Sequence, residues 1–222
     1  MKNVIIIGSG AVAAELTSYI DDQNITDGSA NQINLLGYID YKDNIEKYWT
    51  KYNLQAPVLC DIDAYVPSSN EEVVVAISDV KFRNEIIKKL LEKNAQFLNF
   101  IHSSVIVPKT VTLGTGNIIY PFCIIGPNTT IGSFNIITSY SFISHDCTIG
   151  SGNFISTAGI AGRVTIGDGN FFGIRSTVIP KISIGSGNVI QAGMIVDKSM
   201  SDNSTIFYRY KERVLAVPKV DI

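Results

Sequence analysis

The chain contains two histidines, His102 and His145, and only His145 has an acid beside it in sequence, Asp146. An imidazole titrates near neutral pH, and a carboxylate on its far nitrogen fixes the tautomer. His145-Asp146 is therefore the candidate acid-base pair, suited to taking a proton from an amine or hydroxyl as it attacks a carbonyl carbon. His102 stands alone between two differently patterned halves and reads as structural. A second group of residues suits a phosphate. Gly8-Ser9-Gly10 follows the β-branched run Lys2 to Ile7 and opens a helical pattern at Ala14, Leu16, Thr17 and Ile20. The free N–H groups and positive end of that helix would face the glycines. Ala13 stands where a dinucleotide fingerprint has its third glycine, so a packing turn with no ligand is the competing reading.

The elements that must position these groups differ between the halves. Strand-like runs Leu35 to Asp40 and Glu72 to Ile77 alternate with helical stretches, the last from Val80 to Lys93. Alternation of that kind predicts a parallel sheet, with Gly8, Ser9, Gly10, Asp40, Ser78 and Asp79 converging beyond the carboxyl ends of its strands. Asp40 is placed where a ribose hydroxyl can be bonded.

From residue 104 onward a repeat takes over. Leu113, Ile119, Ile125, Ile131, Ile137, Ile143, Ile149 and Ile155 are spaced by six, and after one slip the series resumes from Ile160 to Val196. An Ile-Gly or Leu-Gly pair recurs once per coil, followed three positions beyond the glycine by Asn117, Asn135, Asn153, Asn170 and Asn188. Three hexapeptides per coil describe a triangular prism of short parallel strands, with one aliphatic side chain per face pointing inward. Asparagines repeating once per coil predict a stacked amide ladder, while Gly and Asn at the corners tolerate positive φ. Two irregularities interrupt the repeat. The coil containing Ser156 to Gly162 is one residue short, and His145-Asp146 occupies a corner, where both side chains should project outward one coil below Gly162.

Composition narrows the function classes. In 222 residues, 18 Lys and Arg balance 20 Asp and Glu with no long basic run, which argues against nucleic acid. No apolar run reaches the length of a membrane span, and the N-terminus reads as a strand rather than a signal peptide, so a cytoplasmic protein is expected. Cys60, Cys123 and Cys147 are odd in number and widely spaced, with neither a zinc pattern nor a disulfide framework. Only 17% of residues are charged against 45% hydrophobic, which favours a surface covered by a partner subunit.

Taken together, Ile6 to Glu15, Ala76-Ile77-Ser78-Asp79 with Arg83, Ile101-His102-Ser103, the hexapeptides, and Ile143-Ser144-His145-Asp146-Cys147 resemble the bacterial sugar O-/N-acyltransferases. That family includes sialic acid O-acetyltransferases and UDP- or dTDP-amino-sugar N-acetyltransferases. The resemblance implies a Rossmann-like α/β domain over residues 1–103 that holds a nucleotide sugar. It implies a left-handed parallel β-helix over 104–222 that holds acetyl-CoA. It also implies a homotrimer with the active site between subunits, and no metal. Carried over, His145 is the base and Asp146 its orienting acid. Gly162 supplies an oxyanion donor, and Ala161, Gly173 and Ile174 line the CoA path. Three departures stand out: Val12 in the glycine turn, Phe154 where many members have a second histidine, and an unusual tail, Phe207 to Lys219, with Arg209, Lys211, Glu212, Arg213 and Pro218.

N-acetylation of a nucleotide-linked amino sugar is the leading expectation. O-acetylation of a sugar hydroxyl and a non-catalytic sugar-nucleotide-binding scaffold are the alternatives. A dehydrogenase fits poorly, because Ala13 and the missing second mononucleotide half argue against a dinucleotide.

Overall fold

The computed structural model describes residues 1–28 and 32–207; the tail from 208 onward, with its charged cluster, lies outside the described residues. The first half is a four-stranded parallel sheet built from β1 (Lys2–Ile7), β2 (Ile33–Ile39), β3 (Val58–Cys60) and β4 (Glu72–Val75), in the order β3-β2-β1-β4. Helices α1 (Ala11–Thr26), α2 (Lys42–Tyr52) and α3 (Val80–Glu92) connect or follow these strands. Central β1 is apolar on both faces: Val4 and Ile6 join one buried cluster, Ile5 and Ile7 the other. The strand order reverses at β1, where β2 lies on one side and β4 on the other, and the glycine turn lies at that switch.

Helix α2 and strand β3 have no counterpart among the runs picked out by apolar periodicity. No residue of α2 is fully buried, but Ile45, Tyr48, Trp49 and Tyr52, at i, i+3, i+4 and i+7, form a partly buried stripe with Trp49 and Tyr52 against the core; that stripe does not mark the ends of the helix. Its boundaries follow local rules instead, with Asn53 closing it in the left-handed region at φ 48°.

The second half is a parallel β-helix of two-residue strands in three sheets, of seven, five and five strands. The first face runs from Phe100–Ile101 to Thr205–Ile206, the second from Ile124–Ile125 to Ile195–Val196, and the third from Thr112–Leu113 to Ser183–Ile184. The six-residue series forms the interior: Ile119 through Val196 are buried in one cluster, with Leu113 packed against it. Each fully buried isoleucine contributes roughly 1.5–3 kcal/mol of transfer free energy, and the stack repeats it coil after coil. Sequence spacing and register agree at the slip, where Phe142–Ile143 pairs with Gly159–Ile160 across the shortened coil.

The amide ladder is present. Asn135 Nδ2 donates to Asn117 Oδ1, Asn153 to Asn135 and Asn170 to Asn153, each at 3.0 Å, and all five ladder asparagines are buried. Positive φ falls elsewhere than expected. The ladder asparagines do not adopt it; the residue before each does, a glycine in four coils and Phe134 in the fifth. Phe122 and Tyr140 also take it at another corner, φ 63° and 62°. The coil therefore imposes the left-handed corner even on bulky residues.

The halves dock through the first face of the prism. Phe100, Ile118, Ile136 and Phe154 share a buried cluster with Val12, Leu16 and Ile20 of α1. Arg83 of α3 is 1% exposed; it donates through Nη2 to the carbonyls of Gly152 (2.7 Å) and Asn153 (3.2 Å), and through Nη1 to Ile77 (3.0 Å). Burial pulls its pKa down to about 10. His102, almost fully buried, places Nε2 3.1 Å from Asp22 Oδ2 of α1 and Nδ1 2.8 Å from the Ser104 hydroxyl. Both of its nitrogens are held in a structural clasp.

Candidate active site

His145 and Asp146 occupy the corner between the second-face strand Phe142–Ile143 and the third-face strand Thr148–Ile149. Asp146 takes the left-handed conformation, φ 57°, and both side chains project outward, 51% and 40% exposed. The corner lets neighbours in sequence meet: Nδ1 of His145 lies 2.7 Å from Asp146 Oδ2. A carboxylate can only accept, so Nδ1 carries the proton and Nε2 keeps a free lone pair. Asp146 is held in turn by Asn128, whose Nδ2 donates to Oδ1 at 3.3 Å, and by Arg163, whose Nε lies 3.8 Å from Oδ2. The hydrogen bond from His145, then that from Asn128, then the charge of Arg163 hold the Asp146 carboxyl below its ordinary range.

One coil above, Gly162 faces the imidazole. A Cβ on Gly162 would lie 2.8 Å from His145 Nε2 and 2.9 Å from Cε1, so the ring edge occupies the space that glycine leaves. In this corner column the carbonyl accepts from the coil above: Asp146 N donates to Pro127 O, Arg163 N to His145 O and Lys181 N to Gly162 O. The column's own N–H takes no part in the ladder, and proline fills the place at 127 and 180. Among the described residues the N–H groups of His145 and Gly162 have no hydrogen-bond partner. An imidazole and two vacant donors thus share one edge. The N–H of Ala161 is engaged by Val178 O. Gly173 and exposed Ile174 lie on a different corner, between the first and second faces.

The glycine turn forms a separate site. Gly8, Ser9, Gly10, Asp40, Ser78 and Asp79 line one cavity of about 430 Å³ with Asn44, Tyr48, Lys51, Tyr52 and Phe82. Its polar groups differ in availability. Asp40 accepts from Ser9 N and Oγ through Oδ2, and from Tyr41 N and Asn44 Nδ2 through Oδ1, at 2.8–2.9 Å. Both oxygens are engaged and the side chain is 4% exposed, so the structure has Asp40 bracing the turn. Asp79 caps α3 by accepting from Phe82 N at 2.7 Å. Gly8, at φ 110° with a Cβ position 2.9 Å from the Ala76 carbonyl, can be nothing larger. Asn44, Tyr48, Lys51 and Tyr52 come from α2, which the reading of the sequence does not include. The spacing of Ile45, Tyr48, Trp49 and Tyr52 at i, i+3, i+4 and i+7 is the signal in the sequence that could have found them.

Phe154 lies under the guanidinium of Arg83 and stacks on Phe171, their rings 5.5 Å apart. It belongs to the seam between the domains. Another cavity, of about 460 Å³, opens at the opposite ends of the strands around Lys2, Gln23 and Ile33 and holds none of these groups.

The two candidate sites do not meet within one chain. The α/β half covers the first face, whereas His145 sits on the edge between the second and third. The second face exposes Ile106, Ile124, Phe142 and Ile195 between 48% and 63%. Among the described residues no helix is long and apolar enough to cross a membrane.

No protein-family model matches the chain, and no curated protein sequence matches it. Solved structures do. PerB from Caulobacter crescentus, in complex with CoA and GDP-perosamine, is 25% identical with a TM-score of 0.76, covering 92% of this chain and 93% of that one. The acetyltransferase domain of PglB from Neisseria gonorrhoeae is 17% identical, TM-score 0.76, over 92% and 96% of the chains. WeeI from Acinetobacter baumannii is 23% identical, TM-score 0.74, over 92% and 96%. With likeness extending over both halves, this chain shares its fold with these solved structures, an acetyltransferase domain among them, in line with the acyltransferase resemblance of its sequence.

Proposed function

We propose that the protein transfers an acetyl group from acetyl-CoA to the amino group of a nucleotide-linked amino sugar. The observation that carries this reading is the 2.7 Å contact of His145 Nδ1 with Asp146 together with the ring edge lying over Gly162. Likeness to a solved acetyltransferase holding CoA and GDP-perosamine supports it. The α/β half is read as Rossmann-like, from its β3-β2-β1-β4 order and the glycine turn after β1, and the coil as left-handed. Residues 1–103 then hold the nucleotide and 104–222 the acyl donor.

In this reading the sugar amine attacks the thioester carbon while Nε2 of His145 takes the amine proton, and Asp146 steadies the imidazolium that forms. Such acid-base help contributes roughly 10² to 10⁴ in rate. The Gly162 N–H stabilises the oxyanion of the tetrahedral intermediate, a donor worth about 3–4 kcal/mol in comparable sites. Collapse expels CoA as the thiolate, which takes up a proton. Ala161, Gly173 and Ile174 flank the donor, Gly8, Ser9 and Gly10 hold the acceptor's diphosphate, and Ser78 and Asp79 line the same substrate cavity, with Asp40 bracing the turn.

Because His145 and the glycine-turn cavity lie on different sides of one chain, the working unit needs a second copy. The apolar second face supplies the contact, and a homotrimer completes each site between subunits. The nucleoside is UDP or dTDP by the sequence resemblance, with GDP added by the Caulobacter relative.

The test is thiol release from acetyl-CoA in the presence of UDP-, dTDP- and GDP-linked amino sugars, with mass spectrometry of the product. A folded His145→Ala protein retaining full activity would refute the mechanism. A product that loses its acetyl group in mild alkali would show that oxygen, rather than nitrogen, is the acceptor.

A further inference from the structure

Helix α2 is unusual for this fold in that no residue of it is buried, yet it is rich in aromatic side chains. Trp49 turns toward the sheet and meets Tyr38 edge-on, ring centroids 5.8 Å apart. Tyr48 and Tyr52, one turn apart, stack with centroids 6.1 Å apart and planes 23° from parallel, and both line the glycine-turn cavity. Phe82 of α3 lines the same cavity. Tyr52 and Phe82 also pack against the core, whereas Tyr48 joins no core cluster; aromatic faces left on a cavity wall are suited to a flat, polarisable partner.

Between the two tyrosines comes Lys51, whose ammonium lies 5.1 Å from the Tyr52 ring centroid. Among the described residues it is the only basic one lining the cavity, and no acid pairs with it. The acids that share the cavity are already engaged, Asp40 by the turn and Asp79 by the α3 cap. The cavity therefore offers one uncommitted positive charge next to stacked rings, with the glycine turn among its other walls.

We propose that α2 is a nucleoside clamp. The Tyr48–Tyr52 wall stacks on the base of a nucleoside diphosphate, and Lys51 meets its diphosphate. The inference rests on the nucleotide-sugar reading above and adds the residues that grip the nucleoside. Stacking on an aromatic ring tolerates any base, so the clamp supplies affinity with little choice among bases.

Trp49 is the chain's single tryptophan and adjoins Tyr48, so its fluorescence reports directly on the clamp. The full-length protein is titrated with UDP, dTDP, GDP and inorganic pyrophosphate, without acetyl-CoA. Tyr48→Leu is expected to weaken the three nucleotides roughly tenfold while leaving pyrophosphate unchanged, and Tyr48→Phe to restore them. Lys51→Met is expected to weaken all four ligands and flatten their salt dependence. If wild type binds the nucleotides and Tyr48→Leu binds them equally well, the clamp is wrong and the nucleotide-sugar reading stands. If wild type binds none of the three, both fall together.

Discussion

The imidazole of His145 occupies the volume that any side chain on Gly162 would need, with the Cβ position 2.8 Å from Nε2. The obstructed group is the end of a side chain and not backbone, so Gly162→Ala should fold normally and push the ring aside. We expect stability within about 0.5 kcal/mol of wild type and a fall in kcat/KM of roughly 100-fold, the scale of an ångström-sized misplacement. Thermal melts and steady-state kinetics on one preparation check it; a fully active Gly162→Ala protein would remove the ring position from the argument.

The Asp146 carboxyl is held down first by its bond from His145 and then by Asn128 and Arg163. A carboxyl with a depressed folded pKa adds stability that is complete above its unfolded value, about 3.9, and is lost as pH falls through the folded value. The stability difference between wild type and Asp146→Asn should therefore be constant near neutrality and shrink below about pH 4. Urea unfolding across that range measures it, and a difference independent of pH would contradict the assignment.

Arg83→Met removes the donor shared by the carbonyls of Gly152, Asn153 and Ile77 at the seam between the domains. Leaving buried acceptors unpaired should cost about 2–4 kcal/mol, summed over these groups. Chemical denaturation gives the number. A change under 0.5 kcal/mol would mean the seam is held by its apolar contacts alone.

Asn153→Ala interrupts the amide ladder at its middle: Asn135 Oδ1 keeps only the main-chain N–H of residue 153, Asn170 Nδ2 keeps only the Gly167 carbonyl, and the Asn170 N–H is orphaned. A loss of about 2–4 kcal/mol is expected. Faster amide exchange should be confined to the coils on either side, because each coil contacts mainly its neighbours. Uniformly faster exchange along the whole prism would show that the ladder acts globally.

Ile124→Lys combined with Ile195→Lys places two cations on the exposed second face without touching the interior series. The double variant should sediment as a monomer with an intact circular dichroism spectrum and lose most of its transferase activity. An active monomer would overturn the shared site.

The prism was legible because its rule is simple: the series of interior aliphatic and aromatic side chains from Ile119 to Val196 follows from a spacing of six and one slip, although the spacing did not single out Cys123, Cys147, Val164 or Ile182, which share that interior. The His145-Asp146 corner was legible too, since the period assigns both residues to a turn. In the α/β half the legible parts were those with buried strands, such as β1 and β4. Helix α2 escaped because it buries no residue fully and its stripe of Ile45, Tyr48, Trp49 and Tyr52 is short and set among charges, and with it went Tyr48, Lys51 and Tyr52. The engagement of Asp40 by Ser9 and Asn44 also escaped, because a residue type and a position do not reveal which partners have already claimed its oxygens.

The corner column that holds His145 behaves as a rail of backbone sites spaced by one coil, about 4.8 Å. Proline blanks the rung below, at 127, and the rung above, at 180, so just two consecutive rungs keep a vacant amide hydrogen. Transferring the histidine to the coil above would set it under the proline at 180 and leave it without that pair, however well the new side chain pointed. The position of the proposed chemistry thus depends on where the main chain keeps an unclaimed N–H as much as on where an imidazole was placed.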